Sequence, residues 1–125
     1  MTRQHRNTTE EGAAAEAFAA SYLRRMGYRI VGQNRAFRCG ELDIVAYEEE
    51  VLCFVEVRHR SQKRYGGALA SITPSKQRRL IRAAACYLQT LKPPWPLCRF
   101  DVVALDGTPP GWRTLLMRGA FEVNG

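Results

Sequence analysis

The chain lacks several features that would assign it quickly. None of its 125 residues belongs to an apolar run near the ~20 that a bilayer-spanning helix needs, so no membrane partner is expected. The opening residues, MTRQHRNTTEEG, have no apolar stretch behind their basic ones and do not read as a secretory signal, which makes cytoplasm the expected compartment. There is no internal repeat and no shift in composition that would mark a second domain. No CxxC pair occurs, and no His stands at zinc-ligand spacing from Cys39, Cys53, Cys86 or Cys98, which excludes a zinc knuckle. With Cys53 and Cys86 inside apolar runs, reduced, buried thiols acting as small hydrophobes are expected rather than disulfides. Acid is almost missing from the middle of the chain. Residues 51–100 carry ten Lys/Arg and a single carboxylate, Glu56, whereas residues 1–50 carry seven Lys/Arg against eight acids and residues 101–125 two against three. Most solvated faces mix both signs. A field this one-sided attracts a polyanion, although a solubility surface or an acidic protein partner would carry the same charge.

Hydrophobic residues make up 46% of the chain, enough to build one packed domain. Residues 1–11 are polar and read as a flexible N-terminal segment, with a single domain over 12–125. Thr8 and Glu11 offer a capping box. The alanine-rich run that follows predicts a helix to Met26, stopped at Gly27, with Ala14, Ala17, Phe18, Ser21 and Tyr22 as its buried stripe. Residues 28–33 read as a short strand, and NRAFRCG as a basic loop or its continuation. ELDIVAY (41–47) and VLCFVEVR (51–58) read as two strands of a hairpin joined through a solvated turn at Glu48, Glu49 and Glu50. The nearly continuous apolar run of the second predicts a central strand covered on both faces. Residues 59–72 read as a long basic loop. Thr73 then caps a helix with Pro74 at its first position, and Leu80, Ile81, Ala84, Leu88 and Leu91 form its apolar stripe. LCRFDVVAL (97–105) is a further strand, DGTPPG a turn, and WRTLLMRGAFEV an edge strand. The order predicts an α/β protein whose mixed central sheet has a helix on each face.

Strand alternation places Glu41 and Asp43 on one face of the first hairpin strand, with Leu42 and Ile44 on the other. It also places Glu56 and Arg58 on one face of the second. In a hairpin those faces can coincide, bringing Asp43, Glu56 and Arg58 together at the mouth of the sheet. Carboxylates rarely lie buried unless they are paired or bound to a metal. Two of them on neighbouring strands suit magnesium, which takes one or two carboxylates plus water and substrate phosphate. Such an ion can polarise a phosphodiester and activate water. The competing reading is an Arg–carboxylate network that pins the hairpin.

The stretch GELDIVAYEEEVLCFVEVRHR resembles the metal-binding signature of the PD-(D/E)xK nucleases, with Asp43 and Glu56 as the two acids and Arg58 where the pattern has lysine. Taken with AEAFAASYLRRMGYRIVGQNRAFRCGELDIVA, FVEVRHR, KQRRLIRAAACYL and RFDVVAL, the chain resembles the YraN family of predicted bacterial endonucleases over about residues 12–105. That family is in turn similar to archaeal Holliday junction resolvases. The resemblance implies a restriction-endonuclease-like, three-layer α/β/α fold with an αβββαβ core. It also implies a divalent ion, magnesium or manganese, held by Asp43 and Glu56, and a nucleic-acid substrate, DNA ahead of RNA. By the same analogy Glu16 approaches the metal site, although read locally it is a solvated helix residue. Gln77 matches the KQ element of the pattern, either orienting water or phosphate or simply beginning the helix. Arginine keeps its charge near neutral pH, so Arg58 can stabilise charge but cannot accept a proton.

Arg38, Arg60, Lys63, Arg64, Lys76 and Arg79 are the candidate phosphate contacts, each of which would steepen the salt dependence of binding. His59 is either a proton carrier or a polar loop residue. Three functions remain open on the sequence: an endonuclease, a nucleic-acid-binding module that keeps the fold without turnover, and an adaptor for an acidic protein. Many nucleases cut both strands as two-fold dimers, and the region of Trp112 and Phe121 would serve a homodimer if exposed.

Overall fold

The structure is a computed structural model that describes residues 10–61 and 66–122. Eight elements follow in order: α1 (Glu10–Arg25), β1 (Arg29–Phe37), β2 (Gly40–Glu48), β3 (Val51–Arg60), α2 (Gly67–Ala70), α3 (Pro74–Leu88), β4 (Cys98–Asp106) and β5 (Arg113–Phe121). The strands form one mixed sheet in the order β1-β2-β3-β4-β5. β3 and β4 pair in parallel, the other neighbours antiparallel. A parallel pair needs a crossover, and α2 and α3 supply it. The αβββαβ core is therefore present, with α2 inserted in the crossover and β5 appended as an edge. None of the described helices is long and apolar enough to cross a membrane.

β3 decides the layering. Cys53, Val55 and Val57 pack with Ala15, Ala19, Ala20 and Leu23 of α1. Leu52 and Phe54, one residue out of phase, pack with Leu80, Ala83, Ala84 and Tyr87 of α3. The central strand is thus covered on both faces, as its apolar run predicts. α2 lies on the α3 side, where Ala68 covers Val102 and Ala104 of β4. The buried face of α1 is displaced from the expected stripe: Ala14, Ala17 and Ser21 are exposed, and Ala15, Ala19 and Leu23 are buried. Alanine is so frequent in this helix that it carries no phase, and Leu23 alone marks the inner face. The end of α1 is as expected, with Gly27 at φ 101°; the cap at Thr8 and most of the N-terminal segment lie outside the described residues. α3 begins as expected, Thr73 Oγ1 accepting from the Lys76 N–H at 3.2 Å, with Pro74 in the first turn.

Of the two readings of NRAFRCG the continuation holds, since β1 runs on to Phe37. Several expectations are corrected. Glu48 is no turn residue but the end of β2, where it accepts from Arg99 at 2.6 Å and from Arg118 at 2.6 Å. Asp106 belongs to β4 and is buried rather than part of a surface turn. Trp112 is buried and stacks edge-on against Phe18, while Phe121 stacks on Phe100, so neither offers the exposed dimer surface supposed for it. Cys39 and Cys86 are joined by a disulfide, and Cys98 is exposed. The first strand-to-strand turn and α3, 47 residues apart, meet only in the folded chain. Cys53 alone fits the expectation of an inert thiol, burial pushing it up to about 12.

At the start of β4 the fully buried Asp101 accepts from Tyr28 Oη (2.7 Å), Arg99 Nε (2.8 Å) and the Gly119 N–H (3.0 Å). Burial pushes its carboxyl up, yet these hydrogen bonds together hold it below its ordinary value. Glu48 extends the network, and the Arg118 hydrogen bonds lower its carboxyl to about 2. A depressed carboxyl contributes stability above its unfolded value and loses it as pH falls through the folded one. The urea midpoint is therefore expected to drop between pH 4.5 and about 2. Glu48→Gln should flatten that limb and lower the midpoint at neutral pH, as a pH series of equilibrium unfolding curves would read.

Candidate active site

The site begins where two strands part. β2 and β3 pair from Glu48↔Val51 to Ile44↔Val55. One step further the register would set Asp43 opposite Glu56, but the ladder does not continue there. Instead Asp43 Oδ2 accepts the Val57 N–H at 2.9 Å, a side chain taking the place of a backbone partner. On the other side of β2, Asp43 and Asn34 drop out of the β1 register between Gln33↔Ile44 and Arg35↔Leu42, and Asn34 adopts φ 53°. Alternation breaks at this point. Leu42 packs on the α3 side and Ile44 on the α1 side, whereas strict alternation requires them to share a face.

A cavity of about 620 Å³ opens in the gap. It is lined by Gly12 and Glu16 of α1, by Phe37, Arg38, Cys39, Gly40 and Glu41 around the first hairpin, by Asp43, by Glu56 through Arg60 of β3, and by Lys76, Arg79 and Leu80 of α3. The hairpin tip packs on α3 at Gly40, whose φ of 146° is a conformation that a side chain would strain; the space itself would accept a Cβ, at ordinary contact distance of 3.5 Å from Ala83 Cβ and the Arg79 carbonyl oxygen.

Glu56 is the electrostatic centre. Its side chain is 14% exposed. Burial first, then the Asp43 charge and a hydrogen bond with Asp43, push its carboxyl well above the ordinary carboxylate range; Arg58, whose Nη1 lies 3.4 Å from Glu56 Oε2, offsets this only in part. Two carboxylates share one oxygen-rich point, and the charge of each opposes the ionisation of the other. The cations gather around them. Arg58 Nε donates to Ser71 Oγ at 2.8 Å. Arg60, the last residue of β3, donates from Nη1 to the His59 carbonyl at 3.0 Å. Lys76 has its ammonium pKa lowered, chiefly by Arg58, then by burial, Arg60 and Arg79. Arg58, Arg60 and Arg79 thus crowd the Lys76 ammonium on one side of the cavity.

Of the residues expected from the sequence, Asp43, Glu56 and Arg58 meet as expected, and Glu16, Arg38, Arg60, Lys76 and Arg79 line the same cavity. Gln77 does not. It is not among the cavity-lining residues, and its Nε2 donates to the Ile72 carbonyl at 3.5 Å, at the start of α3. Lys63 and Arg64 lie outside the described residues. His59 sits at the cavity wall with Nδ1 3.8 Å from Glu11 Oε2. Among the described residues no three His, Cys, Asp or Glu side chains converge as a metal cluster, so an ion here would take two protein carboxylates and complete its shell with other oxygens. Two further residues bear on the site. Ser71 orients Arg58, and Asp106 holds the start of α2. Neither has a sequence signal beyond its place after a glycine-containing loop and at the end of an apolar strand.

The family model described as uncharacterised protein family UPF0102 matches residues 15–105, a span that contains both carboxylates and all five cavity cations. A UPF0102 protein of Herminiimonas arsenicoxydans is 48% identical over 103 residues, 81% of each chain. One from Psychromonas ingrahamii is 43% identical over 117 residues, 92% of each chain. One from Symbiobacterium thermophilum is 46% identical over 112 residues, 89% of this chain and 95% of its own.

A raised carboxyl costs stability once it is forced to ionise: nothing below its unfolded value near 4.5, more as pH climbs toward the folded one. Glu56→Gln keeps the shape and removes that cost. In chelator the variant should melt about 4 °C higher than wild type at mildly alkaline pH, about 1 kcal/mol. The gap should close by about pH 4. Calorimetry at the two pH values checks it, and a lower Tm for the variant at both would contradict it.

Proposed function

The chain belongs to the uncharacterised protein family UPF0102, and we propose that it is a metal-dependent endonuclease that hydrolyses phosphodiester bonds in nucleic acid, DNA ahead of RNA. The observation that carries this reading is the Asp43–Glu56 pair, two interacting carboxylates in a cavity that five Arg and Lys side chains line together with Glu16 and Glu41. A purely structural pair would be neutralised by arginine, as Asp101 and Glu48 are in this same molecule. Here Arg58 reaches Glu56 at only 3.4 Å and leaves it inclined to hold a proton.

The donor set fits magnesium or manganese: two hard oxygen ligands, with open positions for water and phosphate. Bound there, such an ion would polarise the phosphodiester and make water a better nucleophile near neutral pH. The chain's own residues have separable tasks. Asp43 and Glu56 hold the ion. Arg58 stays charged and faces the phosphate as negative charge builds on it. Arg38, Arg60, Lys76 and Arg79 grip the flanking backbone, which sets affinity and salt dependence rather than sequence preference. Lys76 is a further cavity cation, its ammonium pKa lowered chiefly by Arg58, and unlike arginine an ammonium can give up a proton. Glu16 brings α1 to the cavity rim. The resemblance to junction resolvases favours branched DNA, and a two-fold pair of chains would deliver two cavities to two strands.

The test is direct. Purified protein is incubated with labelled single-stranded, duplex, flap and four-way-junction DNA and with RNA, over a titration of magnesium and manganese. Cutting should require the metal, and Asp43→Ala and Glu56→Ala should each lower the rate by ~10³-fold or more while binding persists. Arg58→Ala should cost about 10²-fold. Binding in every lane with cutting in none, unchanged by either carboxylate substitution, would replace this reading with a nucleic-acid-binding module that keeps the fold without turnover.

A further inference from the structure

The carboxylate contact of Arg58 is the longer of its two side-chain contacts. A guanidinium on a long side chain loses considerable rotamer freedom when it is ordered, and its 3.4 Å contact with Glu56 Oε2 is too long to order it alone. The short contact is at the other edge of the plane, where Arg58 Nε donates to Ser71 Oγ at 2.8 Å. Ser71 is itself tied, its hydroxyl donating to the Ala68 carbonyl at 2.6 Å across the single turn of α2. One hydroxyl thus uses its hydrogen on α2 and a lone pair on Arg58, which fixes the direction in which Arg58 must approach.

The single turn of α2 could not hold that position alone, since helices so short are marginal in water. Asp106 holds it. This carboxylate is 3% exposed at the end of β4, and its two oxygens divide between the Gly66 N–H (3.1 Å, Oδ2) and the Ala68 N–H (2.9 Å, Oδ1). Gly66 takes φ 90° to present its amide there. The parallel register sets Asp106 beside Arg60, and the Gly107 N–H donates to the Arg60 carbonyl at 2.9 Å, so the anchor shares the sheet end that carries Glu56 and Arg58. Apolar packing of Ala68 on Val102 and Ala104 seats the same turn on β4.

We propose that Asp106 and Ser71 are positioning residues for Arg58: Asp106 clamps the start of α2 to β4, and Ser71 at its end orients the guanidinium toward the cavity. Its consequence for cleavage rests on the nuclease reading above; the bracket itself does not. Because the hydroxyl is what matters, Ser71→Thr keeps the device and Ser71→Ala removes it.

The test uses the full chain labelled with ¹⁵N, following the Arg58 Nε–H resonance, which is assigned by its loss in Arg58→Lys. In wild type this proton should exchange with water at least ~10-fold more slowly than that of exposed Arg24. Ser71→Ala should abolish the protection while Arg99 Nε–H, held by Asp101, and the β3 and β4 amides keep theirs. Ser71→Thr should restore it. Asp106→Asn should release the Gly66 and Ala68 amides together with Arg58; if that variant does not fold, the serine pair decides alone. On any substrate that wild type cuts, Ser71→Ala should lower kcat by about 10-fold or more with KM nearly unchanged, and Ser71→Thr should recover it. An Arg58 proton as protected in Ser71→Ala as in wild type overturns the proposal, as does a threonine variant no better than the alanine one. Lost protection with undiminished kcat overturns the catalytic consequence. If wild type cuts nothing, the nuclease reading falls while the exchange data still decide the bracket.

Discussion

The site depends on one hydrogen bond, from the Val57 N–H to Asp43 Oδ2. Where two strands separate, each leaves backbone donors and acceptors with no ladder partner, and a buried donor left so costs about as much as a lost hydrogen bond. Asp43 supplies an acceptor from a side chain, so β3 can run on as a regular strand, parallel to β4, after β2 has turned away. That lets Glu56 and Arg58 project from a strand still braced by β4 into space that β2 no longer fills. It also sets Asp43 against Glu56, whose carboxyl is raised by the neighbouring charge. The carboxylate that permits the opening is the one that makes the opening acidic.

The two ends of the sheet treat charge in opposite ways. At the start of β4, Asp101, Glu48, Arg99, Arg118 and Tyr28 satisfy one another, with carboxyls held below their ordinary values. Paired and hydrogen-bonded, this network pins β2, β4 and β5 to Tyr28, the residue that leads into β1. At the far end, Glu56 is held above its ordinary value beside Asp43, and Lys76 below its own among arginines. Each sign is crowded by its own kind. Such an arrangement costs folding energy, and a ligand carrying both a cation for the carboxylates and anions for the arginines would relieve it; a metal-bound phosphodiester is that combination.

Much of this was legible before folding. The apolar run of β3, the Thr73–Pro74 start of α3 and the separation of the two acids by one hairpin pointed to the core topology and the Asp43–Glu56–Arg58 meeting, because local propensity and hairpin pairing govern them. What stayed hidden was long-range or compensatory. The break in alternation at Asp43 has no glycine or proline to announce it. Glu48 sits in an acidic triplet that reads as solvated, and only β4 and β5 reveal its arginines. Asp106 precedes glycine, which reads as a turn, although its burial is set by α2. The phase of α1 was lost among alanines, and the Cys39–Cys86 link spans elements with no local relation.

The arginine at position 58 follows from the same physics. A lysine there would be a strongly hydrated point charge, free to rotate and easily neutralised by burial beside a protonated carboxyl. A planar guanidinium keeps its charge and offers donors on two edges, one for Glu56 and one for Ser71. Arginine can therefore be braced from outside the carboxylate pair, whereas an ammonium would have to choose its partner. The cost is that position 58 cannot accept a proton, so any proton transfer must pass to another group in the cavity. Arg58 of β3 and Lys76 of α3 face the same cavity, and the distance between those two elements is set by the packing of Leu80 and Ala84 on Leu52 and Phe54. Core packing thereby sets the geometry of the site: a change that lets α3 drift from the sheet would separate the two cations without touching either residue.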